Sequence, residues 1–290
     1  MRWPLRKRTH EGWLAVSLEE GRARFAHVRP GARPAVLSLE EQEWDGAKHL
    51  HAGRFRCTTV LTQSEYHMLL VESPNVKRDE LKAAVRWRIK DMIDYHVDDA
   101  TIDVLDVPAL KGPQRPATMY AVVSKSDTLR QLIARFESAG IDLAVIDIPD
   151  TAQRNIAALY ESPLRALLTL SFDGDDGLLT ISAAGELYVC RKLDGHQRGF
   201  DRVLIEVQRS LDHFERNFSQ LAVERVLLAP MPESDALVAH LAANLPLPVA
   251  AIDLIDVMDL PPAYLNAPVE IQARWFRLIG AGLRVEGAVL

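Results

Sequence analysis

Short apolar runs bounded by turn residues open the chain and recur near its middle. Trp13–Leu18, Arg22–Val28 and Ala35–Leu39 read as three strands, separated by Gly21 and by the Pro30–Pro34 segment. Ala166–Ser171, Leu178–Ala183 and Leu187–Lys192 read the same way, with Asp173-Gly174-Asp175-Asp176-Gly177 and Ala184-Gly185 as turns. Each half of the chain thus opens on a similar three-stranded unit.

The second half continues with helical periodicity at Phe200–Asn217, a strand at Arg225–Ala229, a helix near Ser234–Ala243, a strand near Val249–Ile252 and a last helix from about Val269 to Leu283. In Phe200–Asn217 the apolar positions Val203, Leu204, Val207, Leu211 and Phe214 recur at spacings of three and four, the mark of one buried stripe. Strands alternating with helices imply a mixed sheet covered by helices, so the fold class is α/β.

Between strands at His67–Glu72 and Leu143–Ile146 the first half carries extra elements: a helix over Asp79–Ile93, a strand at Thr101–Val107, a loop at Lys111–Pro116, a strand at Met119–Val123 and a helix over Ser126–Ala139. This reads as an inserted subdomain, about 73–139, in a first lobe of residues 1–165, with 166–290 as the second lobe. In the Asp79–Ile93 helix Leu81, Val85, Ile89 and Met92 form the inward stripe. Trp87 falls off that stripe with Arg86 and Lys90. Such a tryptophan marks an interface or rests on a neighbouring subdomain.

Length and composition agree with two folded lobes. The chain has 290 residues, 48% of them hydrophobic and 26% charged, without low-complexity stretches. A net charge of −6 excludes a global field that would attract a polyanion, and no basic surface for nucleic acid is evident. Cys57 and Cys190 lie far apart in strand-like segments, which fits reduced thiols and an intracellular, reducing compartment. The basic start, with Arg2, Arg6, Lys7 and Arg8, is followed by polar residues where a signal peptide would be apolar, so no secretion signal is expected. Runs such as Ala166–Leu170 are far shorter than the roughly 20 residues of a membrane span.

Longer runs carry a resemblance. Leu69-Leu70-Val71-Glu72-Ser73-Pro74-Asn75-Val76, then Glu80-Leu81-Lys82-Ala83-Ala84-Val85-Arg86-Trp87-Arg88-Ile89-Lys90-Asp91, closing on Val97-Asp98-Asp99-Ala100-Thr101-Ile102-Asp103, resemble the MshI proteins of mannose-sensitive haemagglutinin (MSHA) pilus biogenesis. That family is itself similar to the type IV pilus assembly protein PilM. Ala139–Asp147 and Glu206–Phe214 look like segments of the same group, so the resemblance covers most of the chain.

The resemblance implies an actin-like (ribonuclease H-like) two-lobed fold, with an inserted α/β subdomain in the first lobe and a reduced second lobe. It implies a cytoplasmic scaffold of a type IV (MSHA-like) pilus assembly complex at the inner membrane. The partner would be a PilN-like inner-membrane protein, held through its apolar cytoplasmic N-terminal tail in a groove between the inserted subdomain and its lobe, alongside other pilus assembly proteins. Arg86, Trp87, Ile89, Lys90, Ile93 and Tyr95 are the groove residues this likeness suggests. The alternative is an actin-like ATP-binding protein or ATPase switch in the same machinery.

Against that alternative, the sequence departs from the actin-like nucleotide pattern. Actin-like proteins grip phosphates with two glycine-bearing hairpin turns and organise Mg²⁺ with nearby acids. Here Ser17 stands where an acid followed by glycine is expected, ahead of Glu19, Glu20 and Gly21. The second turn has Gly174 and Gly177, but Asp173, Asp175 and Asp176 crowd it and would repel a triphosphate. After Ala229, where a glycine pair usually lies beneath the adenine, the chain reads Pro230-Met231-Pro232. Ser17, Gly21, Asp173, Gly174 and Gly177 are therefore the residues of a degenerate site: the expectation is no enzyme and no resident cofactor, with ATP and Mg²⁺ unfavoured.

His49 and His51 lack a third ligand at metal-site spacing and read as exposed histidines. Asp98, Asp99, Asp103 and Asp106 lack EF-hand spacing and read as a charged surface. Neither a G-x-S-x-G elbow nor a Walker A loop occurs. The basic arm, with Trp3 and Leu5 interleaved, is either a solvated terminus or a contact for anionic lipid.

Overall fold

The computed structural model describes residues 11–46, 50, 55–108, 117–174, 176–194 and 199–285. The Lys111–Pro116 loop, the pair His49 and His51, and the basic arm lie outside them.

The first lobe opens with β1 (Trp13–Glu19), β2 (Gly21–Arg29) and β3 (Ala35–Trp44), an antiparallel meander, followed by β4 (Arg56–Val60), which runs parallel to β1. The chain then builds a separate three-stranded sheet from β5 (His67–Glu72), β6 (Ala100–Asp106) and β7 (Thr118–Lys125), with β7 central. Helix α1 (Leu81–Ile89) covers one face of it, and α2 (Ser126–Ser138) leads back to β8 (Leu143–Asp147), the edge strand beside β4. Helix α3 (Pro149–Ala157) precedes the second lobe. That lobe holds β9 (Arg165–Asp173), β10 (Asp176–Ala183), β11 (Glu186–Asp194), α4 (Phe200–Asn217), β12 (Ala222–Leu228), α5 (Ser234–Asn244) and β13 (Val249–Ala251), then the short α6 (Pro262–Leu265) and α7 (Val269–Gly282).

The lobes repeat one plan. Their sheets run β3-β2-β1-β4-β8 and β11-β10-β9-β12-β13, so third, second, first, fourth and fifth strands occupy matching places. Both central strands are apolar on both faces because each sheet is covered on both sides. Leu14, Val16 and Leu18 of β1 meet Phe136 of α2, while Ala15 points to the α7 side. In the second lobe Leu168, Leu170 and Phe172 pack under Val203, Val207, Leu211 and Phe214 of α4, the stripe the spacing predicts.

Three expectations change. First, among the described residues β5 pairs with β7 alone, so the insert takes in residues 67–72 rather than starting near 73. Second, the helix expected over Asp79–Ile93 is shorter. A 3-10 turn at Arg78–Glu80 leads into α1, and the chain leaves the helix after Ile89 because Ile93 and Tyr95 turn back onto the insert's core. Met92 is therefore 50% exposed instead of inward.

Third, the lobes exchange helices, so 166–290 is not one lobe. Helix α3, from the first half, packs on β9, β10 and β11, while α7, at the end of the second half, packs on β1, β2 and β4. The two helices also pack on each other, and a Cβ added to Gly280 would lie 2.3 Å from the carbonyl oxygen of Ala152. Ala15, Val28, Ile156, Leu167, Leu227 and Ile279 share the apolar cluster around this joint. Each lobe keeps a core of its own under α2 or α4, and the opposite face of both sheets is closed by the shared α3–α7 pair.

Candidate functional site

Strand alternation splits the insert's sheet into two chemically different faces. Val71, Ile102, Val104, Met119, Ala121 and Val123 point to α1 and close the insert's own core. Met68, Leu105 and Val122 point the other way, toward Leu129 and Leu132 of α2 and Ile146 of β8. On that second face, where the insert meets the first lobe, a cleft of about 260 Å³ opens between β6 and β8. Both are edge strands of their sheets.

Leu105, Val122, Val145 and Ile146 supply the apolar walls of the cleft, and Arg154, Asn155 and Arg284 supply polar groups. Asp147 organises this end. Its carboxylate accepts hydrogen bonds from the Ile148 amide at 2.9 Å, from the Thr151 hydroxyl, and from Arg284 Nη1 at 3.1 Å. Arg284 also lies over the Trp13 ring, 5.1 Å from its centroid, and its buried Nε has no acceptor among the described residues. Asn155 donates to the Gly280 carbonyl at 3.0 Å, tying the cleft to the α3–α7 pair. The cleft therefore has a rigid floor built from both lobes and an apolar flank built from strand edges.

The residues expected in the groove lie elsewhere. Ile89 is fully buried in the insert's core, and Ile93 and Tyr95 pack against the same core. Burial raises the Tyr95 phenol, and Lys125 Nζ stands 4.9 Å from its ring. Arg86 donates to the carbonyls of Val97 at 2.6 Å and Ala100 at 3.4 Å, which pins α1 to the segment before β6. Trp87 is 71% exposed on the outer side of α1. None of these six lines the cleft, because α1 covers the opposite face of the sheet. The residues that do line it were missed because they come from β6, β7, β8, α3 and the end of α7, which only the assembled fold brings together.

The two hairpin turns hold the candidate nucleotide residues in protein contacts. Gly21 and Gly174 have φ of +78° and +58°, so both serve the turn itself. Ser17 donates to Glu19 at 2.9 Å, and Glu19 also pairs with Arg24 at 2.5 Å. Asp173 is paired with Arg277 of α7 at 3.0 Å. Gly177 is a packing glycine, since a Cβ there would lie 2.8 Å from both Leu193 Cβ and the Phe172 ring. Met231, between Pro230 and Pro232, is 1% exposed and fills the second lobe's core.

A polar network joins the lobes beside the second turn. Gln63 Nε2 donates to the Gly177 carbonyl at 3.1 Å, and Lys192 Nζ donates to the Gln63 carbonyl and, at 2.9 Å, to that of Tyr66. The Tyr66 hydroxyl donates to Asp150, in the first turn of α3. From the insert, the Tyr120 hydroxyl donates to the Tyr188 carbonyl at 3.2 Å. Burial raises the Asp150 carboxyl above its ordinary value, partly offset by the Tyr66 hydroxyl, and lowers the Lys192 ammonium.

Cys57 and Cys190 are both free, and burial raises the Cys57 thiol to about 11. No group of three or more metal-ligating side chains occurs among the described residues. Asp98 lies 3.6 Å from Arg86, and Asp103 lies 3.0 Å from Lys82, as expected of a charged surface. No helix among the described residues is long and apolar enough to cross a membrane.

No family model and no curated protein matches the sequence. Solved structures match the fold. A chain of the PilM-PilN type IV pilus biogenesis complex aligns with a TM-score of 0.72 at 15% identity, over 94% of this chain and 99% of that one. A Bacteroides thetaiotaomicron protein of unknown function with an actin-like ATPase fold aligns with a TM-score of 0.50 at 11% identity, over 87% of this chain and 93% of that one. At these identities the likeness is one of architecture: this chain has the actin-like α/β fold, two lobes of one plan with an α/β subdomain inserted in the first.

Proposed function

We propose that the chain is a PilM-like component of type IV pilus machinery, a scaffold that holds the cytoplasmic tail of a PilN-like inner-membrane protein. The observation that carries this reading is the cleft between β6 and β8. Edge strands offer unpaired backbone groups to an extended segment, apolar walls take its side chains, and the Asp147–Arg284 floor is already ordered before anything binds. The shared fold with a chain of the PilM-PilN complex supports the choice of partner, and the quoted sequence runs support the finer assignment to an MSHA-like system, peripheral to the inner membrane through its partners.

The test is a titration of the full chain with a peptide copied from the N-terminal tail of the PilN-like partner. Leu105→Arg places a charge in the apolar wall and is expected to cost about 2 kcal/mol, roughly thirtyfold in Kd. Trp87→Ala, on the far side of the insert, should leave the affinity unchanged. A Leu105→Arg chain that is folded and binds with full affinity would remove the cleft from the site.

We further infer that the hairpin turns are not a working ATPase site. Gln63 and Lys192 bridge the lobes at Gly177, Arg277 occupies Asp173, and Met231 packs where an adenine would need open backbone. The expected result is phosphate release from Mg·ATP no faster than a control without protein. Steady turnover that disappears in a Lys192 variant would overturn it.

A further inference from the structure

We propose that Tyr120 is a positioning residue for the cleft: through its hydroxyl the second lobe braces the insert and sets the distance between the cleft's wall and its floor. The proposal rests on the reading of the cleft as the tail's site, and it gives the second lobe a part in that site.

The insert's side of the cleft moves with Tyr120. In the three-stranded sheet Tyr120 of β7 stands directly opposite Leu105 of β6 and two residues from Val122, and both of these line the cleft. Side chains alternate along a strand, so all three share the face turned away from α1. Opposite residues of an antiparallel pair lie roughly 5 Å apart in one hydrogen-bonded ladder, so a displacement of Tyr120 carries Leu105 with it.

The anchor is β11. Tyr120 is 5% exposed, and its hydroxyl donates to the Tyr188 carbonyl at 3.2 Å and accepts from the Cys190 amide at 3.3 Å. A hydroxyl has one proton to give and lone pairs to receive with, so both bonds form together. Tyr188 is the extra residue of a β-bulge, without a partner in β10, which leaves its carbonyl to the tyrosine. Lys192 of the same strand donates to the carbonyls of Gln63 and Tyr66 just ahead of β5, so β11 holds the insert at its base as well as at its middle.

The floor is tied to the same strand. Helix α3, which supplies Thr151, Arg154 and Asn155, packs on β9, β10 and β11. Wall and floor therefore take their places from one strand, and the Tyr120 bonds are a short link between them. Among the described residues neither Tyr120 nor any residue of β11 lines the cleft, so an effect on binding passes through the placement of Leu105 and Val122.

The experiment is titration of the full Tyr120→Phe chain with the same tail peptide, beside hydrogen exchange at the Cys190 amide. Tyr120→Phe keeps the ring and removes both bonds, so Kd should rise about fivefold, the worth of one net hydrogen bond. Coupling is reciprocal, so the peptide should slow exchange of the Cys190 amide in the wild type by a similar factor and leave it unchanged in Tyr120→Phe. Tyr160→Phe, which takes a hydroxyl from the Asp253 carbonyl away from the insert, should lower the melting midpoint without moving Kd. Leu105→Arg in the same series separates the brace from the site. Weaker binding by Leu105→Arg with full affinity in Tyr120→Phe, a Cys190 amide indifferent to the peptide, or an equal loss of affinity in Tyr160→Phe would each overturn the brace alone. Full affinity in a folded Leu105→Arg chain would remove the cleft and the brace with it.

Discussion

Gly280→Ala is expected to destabilise the chain by roughly 3 kcal/mol, because the added methyl group has nowhere to go. Its Cβ would lie 2.3 Å from the Ala152 carbonyl oxygen and 2.8 Å from the carbonyl carbon. Both are backbone atoms of α3, so no rotamer change relieves the clash and the helices must separate. Separation opens the apolar cluster that both lobes share and strains the bond from Asn155 to the Gly280 carbonyl. For a chain of this size the melting midpoint should fall by roughly 6–10 °C. Gly282→Ala is expected to destabilise as well: its Cβ would lie 2.6 Å from Val28 Cγ2 and 2.7 Å from Val28 Cβ, and that buried β-branched side chain has little room to yield. A Gly280→Ala melt indistinguishable from wild type would mean that α3 and α7 do not pack at this distance.

Asp150→Ala is expected to cost about 3 kcal/mol, since it leaves the Tyr66 hydroxyl, in a residue 1% exposed, without its acceptor. Asp150→Asn keeps an acceptor for that hydroxyl and removes a buried charge, so near neutral pH it should be at least as stable as the wild type. The pH dependence separates the two effects. Burial raises the Asp150 pKa in the folded state, so between the ordinary carboxylate value and the raised one the folded chain binds more protons than the unfolded chain. The stability this group contributes is complete below that window and is lost as pH rises through the folded pKa. Urea titrations at a series of pH values should therefore show the advantage of Asp150→Asn shrinking as the medium is acidified. An advantage that grows on acidification would mean that Asp150 is held ionised.

These two positions also mark the border between what was legible in the sequence and what was not. The paired meanders, the α4 stripe and the strand–helix alternation follow from local chemistry. β-branched and apolar runs bounded by glycine and proline can do little else, and a stripe at three- and four-residue spacing has one buried face wherever the helix lies. The departures at Ser17, Pro230 and Pro232 were legible for the same reason, since a missing glycine or amide is a property of the residue itself.

The candidate site was not legible. Leu105, Ile146, Arg154 and Arg284 are far apart in the chain, and each alone reads as an ordinary strand or helix residue. Periodicity places Trp87 on an exposed helix face but is silent on which sheet face that helix covers, and this decided that Trp87 stands away from the cleft.

The sequence by itself determined the class of fold, the twofold plan and the presence of an insert, because these depend on residue type and short-range spacing. Only the tertiary structure decided that α3 and α7 change lobes, that β5 belongs to the insert, that Lys192 and Asp150 both bond Tyr66 at the joint, and that the cleft lies between β6 and β8. Those features depend on which of several chemically similar apolar surfaces pack together. That choice is made by shape over long sequence separations, down to a single glycine whose missing methyl group lets two helices touch.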